Sequence, residues 1–228
     1  MSQILSNREI RRYQNQIDIE KFGIEGQEKL KETKVVVIGA GGVGTVVLQH
    51  LTSCGIGTLG IIDNSMVEET NIHRQTLYGT SDLGKQKAII TKQKLSDLNA
   101  QCKINIHNLF ITAENLYKIC ELYDIIIDVS NNSETNNDII HYCVENNKPL
   151  VFGIINEFEI EVGSFSDSSK LNEYAQKRIS NEIHKSGYIS SIAGIVGSLI
   201  CLHTIKMVIK FTDKSDNQSK KINILELL

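Results

Sequence analysis

The sequence predicts an α/β protein: a Rossmann-like, doubly wound and mostly parallel sheet with helices on both faces. Three observations predict it. Unbroken Val/Ile runs of strand length alternate with stretches of helical periodicity, the pattern of strands covered on both sides. The first such run passes directly into glycines, in VVVIGAGGVGTVV over residues 35–47. The next apolar run ends in an acid, Asp63.

Residues 1–33 read as a short helical segment ahead of the nucleotide-binding core, which spans 34–156. KVVVIGA (34–40) is a buried strand, and GVGTVVLQHLTSCG (42–55) a helix stopped by Gly55, a residue that suits a helix C-terminus. TLGIIDN (58–64) is the second strand. DLGKQKAIITKQKLSDLNA (82–100) reads as a long amphipathic helix, and CKINIHNLF (102–110) as a strand by its alternation. AENLYKICELY is helical and leads to the buried strand DIIIDVS (124–130). ETNNDIIHYCVENN is a helix, and KPLVFGIIN (148–156) a strand that Pro149 enters. The extension, 157–228, holds an added antiparallel strand in FEIEVGSF (158–165) and helical sequence at 168–186. Its firmest element is a buried helix over 190–210, followed by a polar turn, FTDKSDNQSKK, and a last strand, INILELL. No linker or repeat interrupts this, so residues 1–228 form one domain.

The glycines carry chemistry. Gly39, Gly41 and Gly44 form a GxGxxG between a strand and a helix. In that setting Gly39 permits a tight turn, Gly41 lets a phosphate approach the backbone, and Gly44 allows the helix to pack on the strand. Asp63, about 20 residues further on, is placed to accept hydrogen bonds from ribose hydroxyls. The same loop serves NAD, FAD and ATP. Downstream, EETNIHRQTLYGTSDLGKQKA (68–88) collects Asn71, Arg74, Gln75 and Lys87. Arg offers a bidentate fork to phosphate oxygens and Lys a compact charge, which suits a triphosphate. A solvated loop with Asp82 as a helix cap fits the spacing equally well.

Composition bounds the alternatives. The chain has 228 residues, 41% hydrophobic and 22% charged, with a formal net charge of -3. There is no basic field to recruit nucleic acid or anionic lipid. The five cysteines are dispersed and form no CxxC pair, which argues against a disulfide framework or a thiolate zinc site and suits a reducing cytoplasm. The N-terminus lacks a signal-peptide core, and the uncharged, apolar run Gly187–Leu202 is short for a membrane span. The six histidines form no ligand-like spacing.

RRYQNQIDIEKFGIEGQEKLKETKVVVIGAGGVG, GIGTLGIIDNSMVEETNIHRQTLYGTSDLGKQKA, DIIIDVSNNSETNN and KPLVFG together resemble the ThiF/MoeB/HesA family, bacterial relatives of the ubiquitin-activating enzymes. The resemblance runs from Arg12 to Phe165 and resumes at AGIVGSLICLHTIKMV. It implies an ATP- and Mg2+-dependent adenylyltransferase. In that chemistry the C-terminal carboxylate of a ubiquitin-like carrier protein, or of a ribosomal peptide, attacks the α-phosphate to give an acyl-adenylate and pyrophosphate. It further implies that Gly39, Gly41, Gly42 and Gly44 hold the nucleotide with Asp63 on the ribose. Asn71, Arg74, Gln75 and Lys87 would lie at the phosphates, with Arg74, Lys87 and Asn131 as the catalytic set. A homodimer, or a heterodimer with a homologue, is implied as well.

Four features depart from the family pattern. Asn15 stands where the RYxRQ motif has an arginine that reaches across the dimer. Asn131 replaces the acid that usually holds Mg2+, offering a neutral oxygen to a hard cation. Ser65 replaces the second acid of a D-x-D, and the zinc CxxC pairs and a convincing catalytic Cys between Asp167 and Gly187 are absent. A partner subunit that has lost part of the catalysis is therefore the alternative to an active enzyme. A nicotinamide-dependent oxidoreductase is a third reading, in which the Arg/Lys cluster has no evident role.

Overall fold

A computed structural model describes residues 4–177, 187–210 and 217–227. Ser6 caps the first helix, α1 (Asn7–Arg12), through a capping box with Glu9; α2 (Gln14–Ile17) and α3 (Gly23–Glu32) complete the N-terminal segment. β1 (Lys34–Ile38) then enters the core, and α4 (Gly42–Cys54) follows, ended by Gly55 at φ 87° as its sequence predicts. β2 (Thr58–Ile62) leads to a short helix, α5 (Glu69–Ile72), and a single 3-10 turn at Thr80–Asp82. α6 (Lys87–Leu98), β3 (Lys103–His107), α7 (Ala113–Cys120) and β4 (Ile125–Asp128) continue the alternation. α8 (Ser133–Glu145), β5 (Leu150–Asn156), β6 (Glu159–Phe165), α9 (Ser168–Lys177), α10 (Ser190–Val208) and β7 (Gln218–Asn223) complete the chain.

The strands form one sheet in the order β3-β2-β1-β4-β5-β6-β7, with the first five parallel and β6 and β7 antiparallel. Residue alternation divides the core by face. Val35 and Val37 join Leu59, Ile61, Ile125 and Ile127 under α4 and α10, whereas Val36, Ile38, Ile62 and Ile126 pack under α7 and α8. Chain order reverses between β1 and β4, so the crevice beyond their carboxyl ends is the switch point where such sheets take ligands.

α10 is long and apolar enough in composition to cross a membrane. The fold uses that apolarity to bury Ile192, Ala193, Val196, Ile200 and Cys201 in the sheet's core. All five cysteines are free thiols.

Three expectations change. The helix expected from residue 82 starts at Lys87, because Leu83 is extended and Gly84 turns through φ 73°, which a continuous helix excludes. The expected polar turn contributes its last residues to β7, and only Ile222 and Asn223 of INILELL extend that strand; Ile224–Leu227 close into a 3-10 turn. β7 is an edge strand paired on one side only, where charge is favoured over apolar alternation. The helix expected over 168–186 is seen as α9 to Lys177; residues 178–186 lie outside the described residues.

Candidate functional site

The site grows from the turn after β1. Gly39 adopts φ 107°, and a Cβ there would sit 2.7 Å from the Val129 carbonyl oxygen, so only glycine lets the turn lie against the end of β4. The next residue, Ala40, is held at both of its backbone polar groups. Ala40 N–H donates to Asp63 Oδ2 at 2.8 Å, and the Ala40 carbonyl accepts from the Tyr78 hydroxyl at 2.9 Å. Asp63 Oδ1 accepts from Ser65 N–H at 2.7 Å. Tyr78 is buried, which pushes its phenol well above its ordinary pKa, and its hydroxyl also bonds Thr91.

Gly44 and Gly41 play opposite parts. A Cβ on Gly44 would fall 2.0 Å from the Gly39 carbonyl oxygen, which makes this the close helix-to-turn contact expected of it. A Cβ on Gly41 would meet nothing nearer than Gln75 Nε2 at 3.8 Å. The backbone at Gly41 is thus bare on the side that opens ahead of α4, whose first-turn N–H groups have no intrahelical acceptors.

Cationic and polar side chains surround that opening. Lys87, the first residue of α6, is 7% exposed. Its backbone N–H donates to the Ser65 carbonyl at 2.9 Å, and Gln86 bridges to Met66, so the start of α6 is tied to the chain leaving β2. Burial lowers the pKa of its ammonium; Asp63 and Glu68 oppose the shift and the Arg74 charge adds to it. Lys87 makes no ion pair among the described residues. The Arg74 guanidinium donates to the Thr70 carbonyl and lies 5.6 Å over the Tyr188 ring. Gln75 Oε1 and Ser130 Oγ are buried and have no hydrogen-bond partner among the described residues. Gln75 faces Gly41, and the Ser130 backbone abuts Gly39, so both orphaned residues border the same turn. Two cations and unsatisfied polar atoms around a bare backbone form a receptacle for an anionic, oxygen-rich group.

Asn71 is buried and bonded locally, its Oδ1 accepting from Glu68 N–H and its Nδ2 donating to Thr70. At the end of β4 the Asp128 carboxylate accepts from Ser130 N–H at 2.9 Å and from Asn136 Nδ2 at 2.6 Å, capping the strand. Asn131 follows, exposed and at φ 53°. Among the described residues no three His, Cys, Asp or Glu side chains gather as metal ligands. In the N-terminal motif Tyr13 and Gln16 face inward. Tyr13 Oη accepts from Asn99 Nδ2, and Gln16 Nε2 donates to the Cys54 carbonyl. Gln14 and Asn15 are exposed.

The structure brings the glycines, Asp63, Arg74, Gln75 and Lys87 that the sequence singles out together about one crevice. The sequence reading misses Tyr78 and Tyr188. Tyr78 carries a faint signal, an aromatic inside a polar stretch; Tyr188, at the start of an apolar helix, carries none.

Fold and site define a doubly wound α/β protein with a phosphate-type glycine turn at its switch point. The chain belongs to the ThiF family, whose description matches residues 13–227. It is 40% identical over 157 residues to a sulfur carrier protein adenylyltransferase of Thermus thermophilus, covering 69% of this chain and 58% of that protein. It is 32% identical over 210 residues to a probable molybdopterin-synthase adenylyltransferase of Porphyra purpurea, covering 89% of this chain and 55% of that protein. The chain therefore spans less than two thirds of the length of these relatives. Among solved structures, that of E. coli MccB with AMPCPP and MccA superposes with a TM-score of 0.77 at 25% identity, covering 92% of this chain and 68% of that one.

Proposed function

We propose that this chain is an ATP-dependent adenylyltransferase that activates the C-terminal carboxylate of a ubiquitin-like sulfur carrier protein or a peptide. One observation carries the reading: Lys87 is buried beside Arg74 at a glycine turn, with no anionic partner among the described residues. A buried cation of this kind is stabilised once a phosphate arrives. The names of the adenylyltransferase relatives, and the pairing of MccB with an ATP analogue, support the same chemistry.

In the proposed reaction a carboxylate oxygen bonds to the α-phosphorus and the bond from that phosphorus to the bridging oxygen breaks. Pyrophosphate leaves with the electron pair, and no proton need move. One anion attacks another, so positioning and charge neutralisation do the catalysis. The Gly41 backbone and the start of α4 receive phosphate oxygens, and Arg74 and Lys87 neutralise them. Asp63 retains acceptor capacity for a ribose hydroxyl while it holds the turn. Asn71 and Gln75 line the same side. Mg2+ would enter with the triphosphate and lessen its charge; this chain offers it the neutral Asn131 oxygen where the family pattern has an acid.

Exchange of labelled pyrophosphate into ATP tests the proposal, with small proteins ending in Gly-Gly as carriers. Carrier-dependent exchange is the expected result. ATP binding without exchange, across the carriers encoded beside this chain, would overturn it. That outcome would favour the second reading, a partner subunit whose site is completed by a homologue, which the neutral residues at 15 and 131 support. Mass photometry with and without that homologue then separates a homodimer from a heterodimer. We place the activity in the cytoplasm, where five free thiols stay reduced.

A further inference from the structure

Tyr188 belongs to neither the glycine turn nor the cation cluster, yet it touches both. Its ring lies 5.6 Å from Arg74 Cζ, within cation–π range. A Cβ on Gly42 would fall 2.7 Å from Tyr188 Oη and 3.1 Å from Cε2, so the ring rests on the first turn of α4. It stands two residues ahead of α10, which is seated firmly: a Cβ on Gly197 would lie 2.6 Å from Val46 Cβ, so α10 and α4 are in close backbone contact. The ring is therefore held by the packing of two core helices.

Arg74 needs such a hold. It follows the short helix α5 and, among the described residues, has no carboxylate partner and a single backbone carbonyl to donate to besides its neighbour His73. A free arginine side chain has rotamer entropy to lose on gripping a ligand. We propose that Tyr188 is a positioning residue that stacks on Arg74 and pre-aims its guanidinium at the glycine turn. On this view Gly42 is glycine because the ring occupies the place of its side chain. The inference rests on the proposed function and deepens it.

A double-mutant cycle tests it, read by ATP affinity from calorimetry and by the kcat and KM for ATP of pyrophosphate exchange. Tyr188→Leu keeps bulk and loses the aromatic face; it weakens ATP binding and raises KM about three- to tenfold, the range of one cation–π contact. Tyr188→Phe keeps the face and stays within about twofold of wild type. Gly42→Ala, which displaces the ring, matches Tyr188→Leu. In an Arg74→Ala background, Tyr188→Leu adds nothing further. Equal affinities for wild type and Tyr188→Leu, or effects of Tyr188→Leu and Arg74→Ala that multiply, would overturn the positioning role. A wild-type chain that binds no ATP overturns the proposed function itself, and this inference with it.

Discussion

At the scale of the residue, Lys87 links stability to function. Its folded-state pKa lies below the unfolded value, so the protonated form is disfavoured by folding. The penalty is complete below the folded pKa and fades as pH rises through it towards the ordinary lysine value. Lys87→Met therefore raises Tm at pH 7 by a few degrees, and the gain shrinks in alkaline buffer. The same substitution weakens ATP binding at least tenfold, by about 1.4 kcal/mol or more. Calorimetry across pH checks both, and a Tm that falls at pH 7 would contradict the buried, unpaired cation. The glycines divide in a comparable way. Gly44→Ala forces a carbon against the Gly39 carbonyl and destabilises by about 3 kcal/mol or more. Gly41→Ala makes only an ordinary contact with Gln75 Nε2 at 3.8 Å, so it holds stability within about 1 kcal/mol while it blocks the phosphate path. Thermal melts paired with ATP titrations distinguish the two, and a Gly41→Ala chain that still binds ATP normally would move the ligand elsewhere.

At the scale of the element, the loop from β2 to α6 carries Asn71, Arg74 and Gln75, and Asp82 holds its shape. The carboxylate pairs with Lys94 and accepts from Gly79 N–H at 3.0 Å. The hydrogen bond from Lys94 lowers its pKa; burial opposes that, and the Gly79 N–H lowers it further. A carboxylate of this kind contributes stability above its unfolded pKa and loses the contribution as pH falls through the folded value. Asp82→Asn should thus destabilise at pH 7 by about 1–3 kcal/mol, with the gap to wild type closing as pH falls through the lowered pKa of the folded carboxylate. Denaturant melts at several pH values check this; a gap constant with pH would exclude the ion pair as its source. This loop also shows what the sequence discloses. Arg74 and Lys87 are legible because their chemistry is unusual immediately after a ribose-type acid. The start of α6 is not, because Gly84 breaks a pattern whose apolar spacing alone would continue. β7 hides for a related reason: an edge strand buries too little to show alternation. Tyr188 is silent, since its partners, Gly42 and Arg74, are far away in sequence and meet it only when α10 packs on α4.

At the scale of the whole molecule, the question is where the remaining positive and negative charge comes from. Position 131 lies at the end of β4, whose backbone abuts Gly39, so an acid placed there serves its own crevice. Position 15 differs. Tyr13 and Gln16 pin the N-terminal segment to Asn99 and to the Cys54 carbonyl, at the C-terminal ends of α6 and α4. α4 has 13 residues, so that end lies about 20 Å along the helix from the glycine turn. An arginine at 15, on an exposed site so far from its own turn, does not reach its own crevice; in the proposed dimer it would reach that of the other chain. The two substitutions should therefore separate. Asn131→Asp lowers the Mg2+ concentration needed for half-maximal pyrophosphate exchange, at every protein concentration. Asn15→Arg raises exchange only where chains associate, and a chain carrying both Asn15→Arg and Lys87→Met stimulates an added wild-type chain while itself inactive. Stimulation by Asn15→Arg that is equal at all dilutions would show the residue acting on its own site. The N-terminal segment would then have to leave the anchorage that Tyr13 and Gln16 provide.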